Sequence, residues 1–182
     1  MAVAIGKLSL EEFMRLPDKP GVDLELFDGE VVAMPLPSEY HLHLQERIKE
    51  LVHKQIGARY FVRVEFSYGA GADAHRVDVG AVPIEKWMRL REKRRDVPPP
   101  PPELIIEVRS PSNTSLEMNR LREVCFANGC LQFWEVDPDL RIITVFERER
   151  DPHVYRSGSS ILLTVFGDLN GAVTVDEVFA YA

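Results

Sequence analysis

The chain has 182 residues, 45% hydrophobic and 28% charged, with 22 Lys and Arg against 29 Asp and Glu for a net charge of −7. That length fits one domain whose core needs neither disulfide nor metal, and the composition excludes a disordered chain, a collagen-like rod or a coiled coil. No window approaches the roughly 18 consecutive apolar residues of a membrane span, and an acidic surface excludes binding a polyanion over the whole molecule, so any such partner must meet a local basic patch.

The opening MAVAIGKLSLEEF is too short and too soon acidic for a signal peptide. Cys125 and Cys130 lie five residues apart around Gly129, which matches neither a zinc pattern nor a disulfide framework; reduced thiols in a cytoplasmic protein are expected. Ser9-Leu10-Glu11-Glu12 forms a capping box that starts a short helix through about Leu16. Asp23–Phe27 and Glu30–Met34 flank Asp28-Gly29, a strong hairpin signal. Ser38 then caps a helix whose apolar positions Tyr40, Leu44, Ile48, Leu51, Val52 and Ile56 follow a three-to-four spacing up to Gly57.

The period next changes to two. Tyr60, Val62, Val64 and Phe66 alternate with Phe61, Arg63, Glu65 and Ser67, which predicts a strand with the first set on one face. GAGAD (69–73) lacks the lysine and spacing of a phosphate-binding loop and reads as a turn into a strand over His75–Val82. Residues 83–102 read as a loop, basic and then proline-rich: 86–95 (KWMRLREKRR) hold six basic side chains and one acid, and Pro98 to Pro102 form a stiff run. A solvated face is the ordinary explanation of such a charge run; a phosphate-backbone contact is the functional one. Leu104–Val108 reads as a strand buried on both faces, and residues 113–128 as a helix ending at Gly129. Strands at 131–137 and 140–147, shorter β segments at 153–156 and 161–165, and a brief helix near 176–180 complete the chain. This order predicts a single α/β (α+β) domain over 1–182, a mixed β-sheet flanked by helices with an N-terminal β-hairpin.

Two acids stand inside apolar strands: Asp78 in Arg76-Val77-Asp78-Val79-Gly80-Ala81-Val82 and Glu107 in Leu104-Ile105-Ile106-Glu107-Val108. A carboxylate there costs several kcal/mol unless compensated by a salt bridge (with Arg76 or Arg109, for example), by protonation, or by a divalent cation. Two such acids together favour a hard cation, since Mg²⁺ takes one or two carboxylates and keeps several waters. Arg109 follows Glu107 at a spacing that shares its face of the strand. His41 and His43 form H-x-H on a helix and do not share a face, so a joint zinc site is not expected. His41 is a candidate to line the acidic site, whereas His43 and His53 read as surface residues. Glu65, in the strand before Asp78, is placed to approach the site, though a cross-strand ion pair is the more ordinary reading; Phe133 and Trp134 read as packing residues, and Cys125 as a core thiol.

The segments LELFDGEVVAMPLPSEYHLHL (24–44), HRVDVGAV (75–82), PPELIIEVRSPSNTSLEMN (101–119), ANGCLQFWEVDPDLRIITVF (127–146) and GDLNGAVTVDEVFA (167–180) together resemble the Uma-type restriction endonuclease family, a branch of the PD-(D/E)xK nuclease superfamily. The resemblance implies a restriction-endonuclease-like core and phosphodiester hydrolysis assisted by Mg²⁺ or Mn²⁺. It puts Asp78 on the family's first strand acid and Glu107 on its second. Glu25 and His41 fall on recurring polar positions, with Glu25 the candidate third acid and metal ligand. Nucleic acid, DNA above all, is the implied partner, met through Lys86, Arg89, Arg91, Lys93, Arg94 and Arg95; a homodimer follows by analogy.

The sequence departs from the family in three ways. Val77 replaces the proline before the aspartate, Leu121 occupies the position of the usual helix lysine, and Arg109 stands two after the second acid. The expectation is that the cation has moved from helix to strand. Arg109 stays protonated at any working pH, so it would stabilise charge and not take a proton from water. The alternative is a degenerate nuclease fold that binds nucleic acid or self-associates without cutting.

Overall fold

The computed structural model describes residues 7–17, 20, 22–34, 37–92, 98–110, 114–163, 166–167 and 171–180. Helix α1 (Leu10–Phe13) is started by the Ser9–Glu12 capping box. Strands β1 (Asp23–Phe27) and β2 (Glu30–Met34) pair antiparallel across Asp28-Gly29, where positive φ at both residues (50° and 80°) makes the turn that suits a right-twisted ribbon. Helix α2 (Glu39–Ile56) follows, capped by Ser38 and burying Leu44, Gln45, Ile48, Leu51, Val52 and Ile56. The long strands β3 (Tyr60–Ala70) and β4 (Asp73–Pro83) form a hairpin. After helix α3 (Ile84–Glu92) come β5 (Leu104–Val108), helix α4 (Ser115–Ala127), β6 (Gln132–Asp137), β7 (Ile142–Glu147) and β8 (His153–Tyr155). β9 (Ser160–Leu162) pairs with β10 (Ala172–Thr174) in a separate ribbon, and helix α5 (Val175–Val178) ends the fold.

The main sheet runs β2-β1-β4-β5-β6-β7-β8, with β3 also paired to β4; among the described residues only β5 and β6 pair parallel. Strand β4 organises it. One edge of β4 is taken by β3 along its length. The other edge is shared, with β1 at the start (Leu26 opposite Ala74) and β5 at the end (Val79 opposite Ile106 through Ala81 opposite Leu104). Between these two neighbours, around residues 75–78, β4 has a stretch of edge that neither strand covers.

Two apolar clusters sandwich the sheet. On one side Leu44, Ile48, Val52 and Ile56 of α2 pack with Val62, Val79, Ala81, Leu104, Ile106 and Trp134. On the other, Met118 and Cys125 of α4 pack with Phe66, Tyr68, Val77, Ile105 and Phe133. The expectation that Val62, Val64 and Phe66 share one face is corrected here: Val62 and Val64 join the α2 side, but Phe66 joins the α4 side. β4 inverts at the same level, with Val77 on the α4 side and Val79 on the α2 side. The cause lies in Glu65, whose φ of 50° rotates the chain within an otherwise unbroken register. Such left-handed backbone costs a residue with a Cβ about 1–2 kcal/mol.

The segment read as loop over 83–102 begins instead with α3, because Trp87 stacks on Phe61 at 4.6 Å and buries one side of the turn it sits on. The prolines do stay outside the sheet: Pro99 accepts from the Gly69 amide at 2.7 Å, and Pro102 lies against Gly80. A Cβ on Gly80 would meet Pro102 Cγ at 2.8 Å and the Phe66 side chain at 3.0 Å. Gly80→Ala is therefore expected to destabilise the fold by about 1–3 kcal/mol, read as a lowered denaturation midpoint with an unchanged m-value.

Candidate active site

The bare stretch of β4 is where the acids gather. Continuing the β3–β4 register one step places Glu65 opposite Asp78, and continuing the β4–β5 register places Asp78 opposite Glu107. Glu107 is itself in register with Glu135 of β6. One rung across four neighbouring strands thus reads Glu65, Asp78, Glu107, Glu135. Glu25, from the middle of β1, reaches the same stretch of β4 edge and accepts from the Arg76 amide.

The β4–β5 ladder ends at Val79–Ile106, and Asp78 takes over with its side chain: its Oδ2 accepts from the Val108 amide at 2.6 Å. Its Oδ1 accepts from Gln45 Nε2 at 2.7 Å and lies 3.0 Å from His41 Nε2. His41 and Gln45 are one turn apart on α2, so both reach down from the same helix face. Gln45, 1% exposed, also donates to Glu65 Oε1 at 2.6 Å. Burial alone would lower the His41 pKa, but the Asp78 hydrogen bond and the charges of Asp78 and Glu65 outweigh it, leaving the imidazole raised.

Glu107 has less support, a hydrogen bond shared with Asp78. Its Oε1 is enclosed and, among the described residues, makes no hydrogen bond. Burial, then the charges of Asp78, Glu25 and Glu65, push its carboxyl well above the ordinary range. Glu25, 8% exposed, is spoken for: Oε1 accepts from the Arg76 amide at 3.1 Å, and Oε2 lies 3.4 Å from His75 Nδ1. Glu135, at the far end of the rung, is held by Arg122 at 2.5 Å, whose guanidinium also lies 3.8 Å above the Phe146 ring.

The structure therefore joins Asp78, Glu107 and His41 directly and sets Glu25 within electrostatic reach. Arg109 is elsewhere: its guanidinium is 37% exposed, 3.9 Å from Asp137 Oδ2, and among the described residues no contact ties it to Asp78 or Glu107. Leu121 packs into the apolar cluster under α4. Of the basic stretch, Lys86 is paired with Glu103 at 2.7 Å and Arg89 is exposed. Lys93, Arg94 and Arg95, with the side chain of Arg91, lie outside the described residues. Cys125 is a core thiol, as expected: it lies 3.0 Å from the Tyr68 hydroxyl, and burial pushes its pKa up to about 12. Sequence reasoning missed Gln45, and of the two readings it gave Glu65 the structure supports both, an approach to the site through Gln45 and a cross-strand pair with Arg76. The spacing of His41 and Gln45, one helical turn, was the available signal for Gln45.

Among the described residues no three His, Cys, Asp or Glu side chains are disposed to hold a metal ion together. A divalent cation with an incomplete protein shell still fits: magnesium needs only one or two carboxylates besides water, and Glu107 Oε1 is a buried oxygen lacking a partner beside a second carboxylate.

Compared with known proteins, residues 10–174 match the family model described as Uma2: Putative restriction endonuclease. Among solved structures the chain is similar to a crystal structure titled as a putative nuclease belonging to DUF820 from Anabaena variabilis, with 18% sequence identity and a TM-score of 0.80 over 94% of this chain and 97% of that one. At that identity the likeness shows the fold, a mixed sheet flanked by helices as expected. No curated protein matches the chain.

The raised Glu107 carboxyl sets a pH dependence. A group whose folded pKa exceeds its unfolded value of 4.5 favours the fold while protonated and loses that contribution as pH rises through the folded pKa. In metal-free buffer Glu107→Gln should therefore stabilise the protein at neutral pH, by about 1–2 kcal/mol or roughly 2–8 °C in Tm. The gain should shrink to nothing as pH falls below 4.5. Thermal melts of both proteins between pH 4 and 8 (about the range spanned by the titration) check this.

Proposed function

The chain belongs to the Uma2 putative restriction endonuclease family, and on that premise we propose that it is a divalent-metal-dependent endonuclease that hydrolyses nucleic-acid phosphodiester bonds. The observation that carries this reading is the partnerless Oε1 of Glu107 beside Asp78, a buried pair of carboxyls that only a proton or a cation can reconcile. Asp78 and Glu107, with Glu25 behind them as the third acid, would hold Mg²⁺ or Mn²⁺. The bound ion supplies a hydroxide at neutral pH and an electrophile for the phosphate oxygens.

The rest of the chemistry belongs to the chain. Asp78 is held in place by the Val108 amide, Gln45 and His41, so its geometry is set before anything binds. His41, whose pKa is raised by the Asp78 hydrogen bond and the charges of Asp78 and Glu65 against the effect of burial, lies 3.0 Å from Asp78 and is suited to orient a phosphate oxygen or to return a proton to the leaving oxygen. Arg89, exposed on α3, and the basic residues that follow it would meet the phosphate backbone of DNA in this otherwise acidic molecule. Two copies, one per strand, would cut a duplex.

One observation favours a second reading, a degenerate nuclease fold that binds nucleic acid without cutting. Arg109 keeps company with Asp137, and Leu121 is part of the core, so neither supplies a cation beside Asp78 and Glu107.

Nicking of supercoiled plasmid in Mg²⁺ or Mn²⁺ separates the two. The wild type is expected to nick, Asp78→Asn to lose about 10²-fold or more, and Arg109→Leu to lose about 10-fold if its guanidinium reaches the phosphate in the complex. Activity that survives in Asp78→Asn would come from a contaminant. A wild type that retards DNA in a gel but never nicks it would establish the second reading.

A further inference from the structure

We infer that Glu65 and Gln45 are positioning residues of this site: Glu65 anchors the Gln45 carboxamide, and Gln45 in turn fixes Asp78. The inference rests on the nuclease reading above and adds to it two residues outside the strand acids. Three observations carry it. Gln45 is buried to 1% exposure and spends its one nitrogen on two acceptors, Glu65 Oε1 at 2.6 Å and Asp78 Oδ1 at 2.7 Å. Glu65 reaches that nitrogen only because its backbone is left-handed, with φ at 50° in mid-strand. By simple alternation from Val62 and Val64, which face α2, residue 65 would face away from the helix; the turned backbone brings it to the same side.

An uncommon backbone conformation at a non-glycine residue persists where the surroundings hold it, and such residues cluster at functional sites. Glycine would adopt the same φ without strain, so the glutamate is present for its carboxylate. The second oxygen of Glu65 faces Arg76 Nη1 at 3.9 Å, so the carboxylate is engaged by Arg76 on one oxygen and by Gln45 on the other. Held from two sides, the Gln45 amide cannot swing, and Asp78 Oδ1 stays directed. Partners of a metal-ligating carboxylate that act in this way are worth about 10–100-fold in metal affinity.

The experiment measures Mn²⁺ binding to the full chain by calorimetry in the absence of nucleic acid, alongside Tm. Glu65→Gly and Gln45→Met should each weaken Mn²⁺ binding about 10-fold. Tm should stay within a few degrees of wild type in Glu65→Gly, since the strain is relieved. Glu65→Gln, which retains an oxygen for the Gln45 amide, should bind within about 3-fold of wild type, and the double variant should be no weaker than either single one because the two act in series. Unchanged affinity in Glu65→Gly would overturn the inference while leaving the metal reading intact. So would additive losses in the double variant, a loss in Glu65→Gln equal to that in Glu65→Gly, or affinities that merely follow Tm. A wild type that takes up no Mn²⁺ would remove the metal reading itself, and this inference with it.

Discussion

Repulsion between acids on neighbouring strands is the constraint that the rest of this molecule answers. Strands lie about 4.8 Å apart, and two ionised carboxylates at such a separation oppose each other by about 3 kcal/mol at an effective dielectric of about 20. Glu65, Asp78 and Glu107 occupy a single rung, and Glu107 feels the charges of Asp78, Glu25 and Glu65 together. Each acid but one has an answer. Glu135 has Arg122, Asp78 has three donors, and Glu65 has Gln45 with Arg76 beyond it. Glu107 is the exception at one oxygen: among the described residues its Oε1 has no partner, and the functional reading is built on that oxygen.

The sheet is shaped to make the rung possible. Asp78 and Glu65 face the α2 side, whereas Glu107 and Glu135 lie with Ile105 and Phe133 toward α4. The acids therefore pass from one face of the sheet to the other at the point where β4 and β5 stop pairing. Helix α2 serves the first half of the row through His41 and Gln45, and α4 serves the second through Arg122. Because β1 and β5 share one edge of β4, the gap between them is bridged by side chains, Glu25 accepting from the Arg76 amide and Asp78 from the Val108 amide.

Much of this was legible in the sequence. Asp78 and Glu107 announced themselves because a charged side chain in an apolar strand needs a reason, and a segment such as Leu104–Val108 has little else to say. The hairpin at Asp28-Gly29 and helix α2 followed from turn chemistry and helical spacing. The left-handed backbone of Glu65 was not legible, because period-two alternation assumes an unbroken strand, and nothing in YFVRVEFSYGA marks residue 65 for a positive φ. Helix α3 was obscured by its charge, since six basic residues over 86–95 hid the contact between Trp87 and Phe61 that folds its first turns. The course of Arg109 was equally hidden: its spacing from Glu107 fixes the side of the strand it leaves from, but its last carbons carry it to Asp137.

The bond from the Val108 amide to Asp78 Oδ2 has an evolutionary reach. In an ordinary sheet that amide would be met by a main-chain carbonyl, which no mutation can delete. Here the seam between two central strands is closed by a side chain, so the gene cannot discard this aspartate without loosening the architecture. A descendant that had given up chemistry altogether would keep it, and its persistence in a lineage is a record of mechanical need as much as of reactivity.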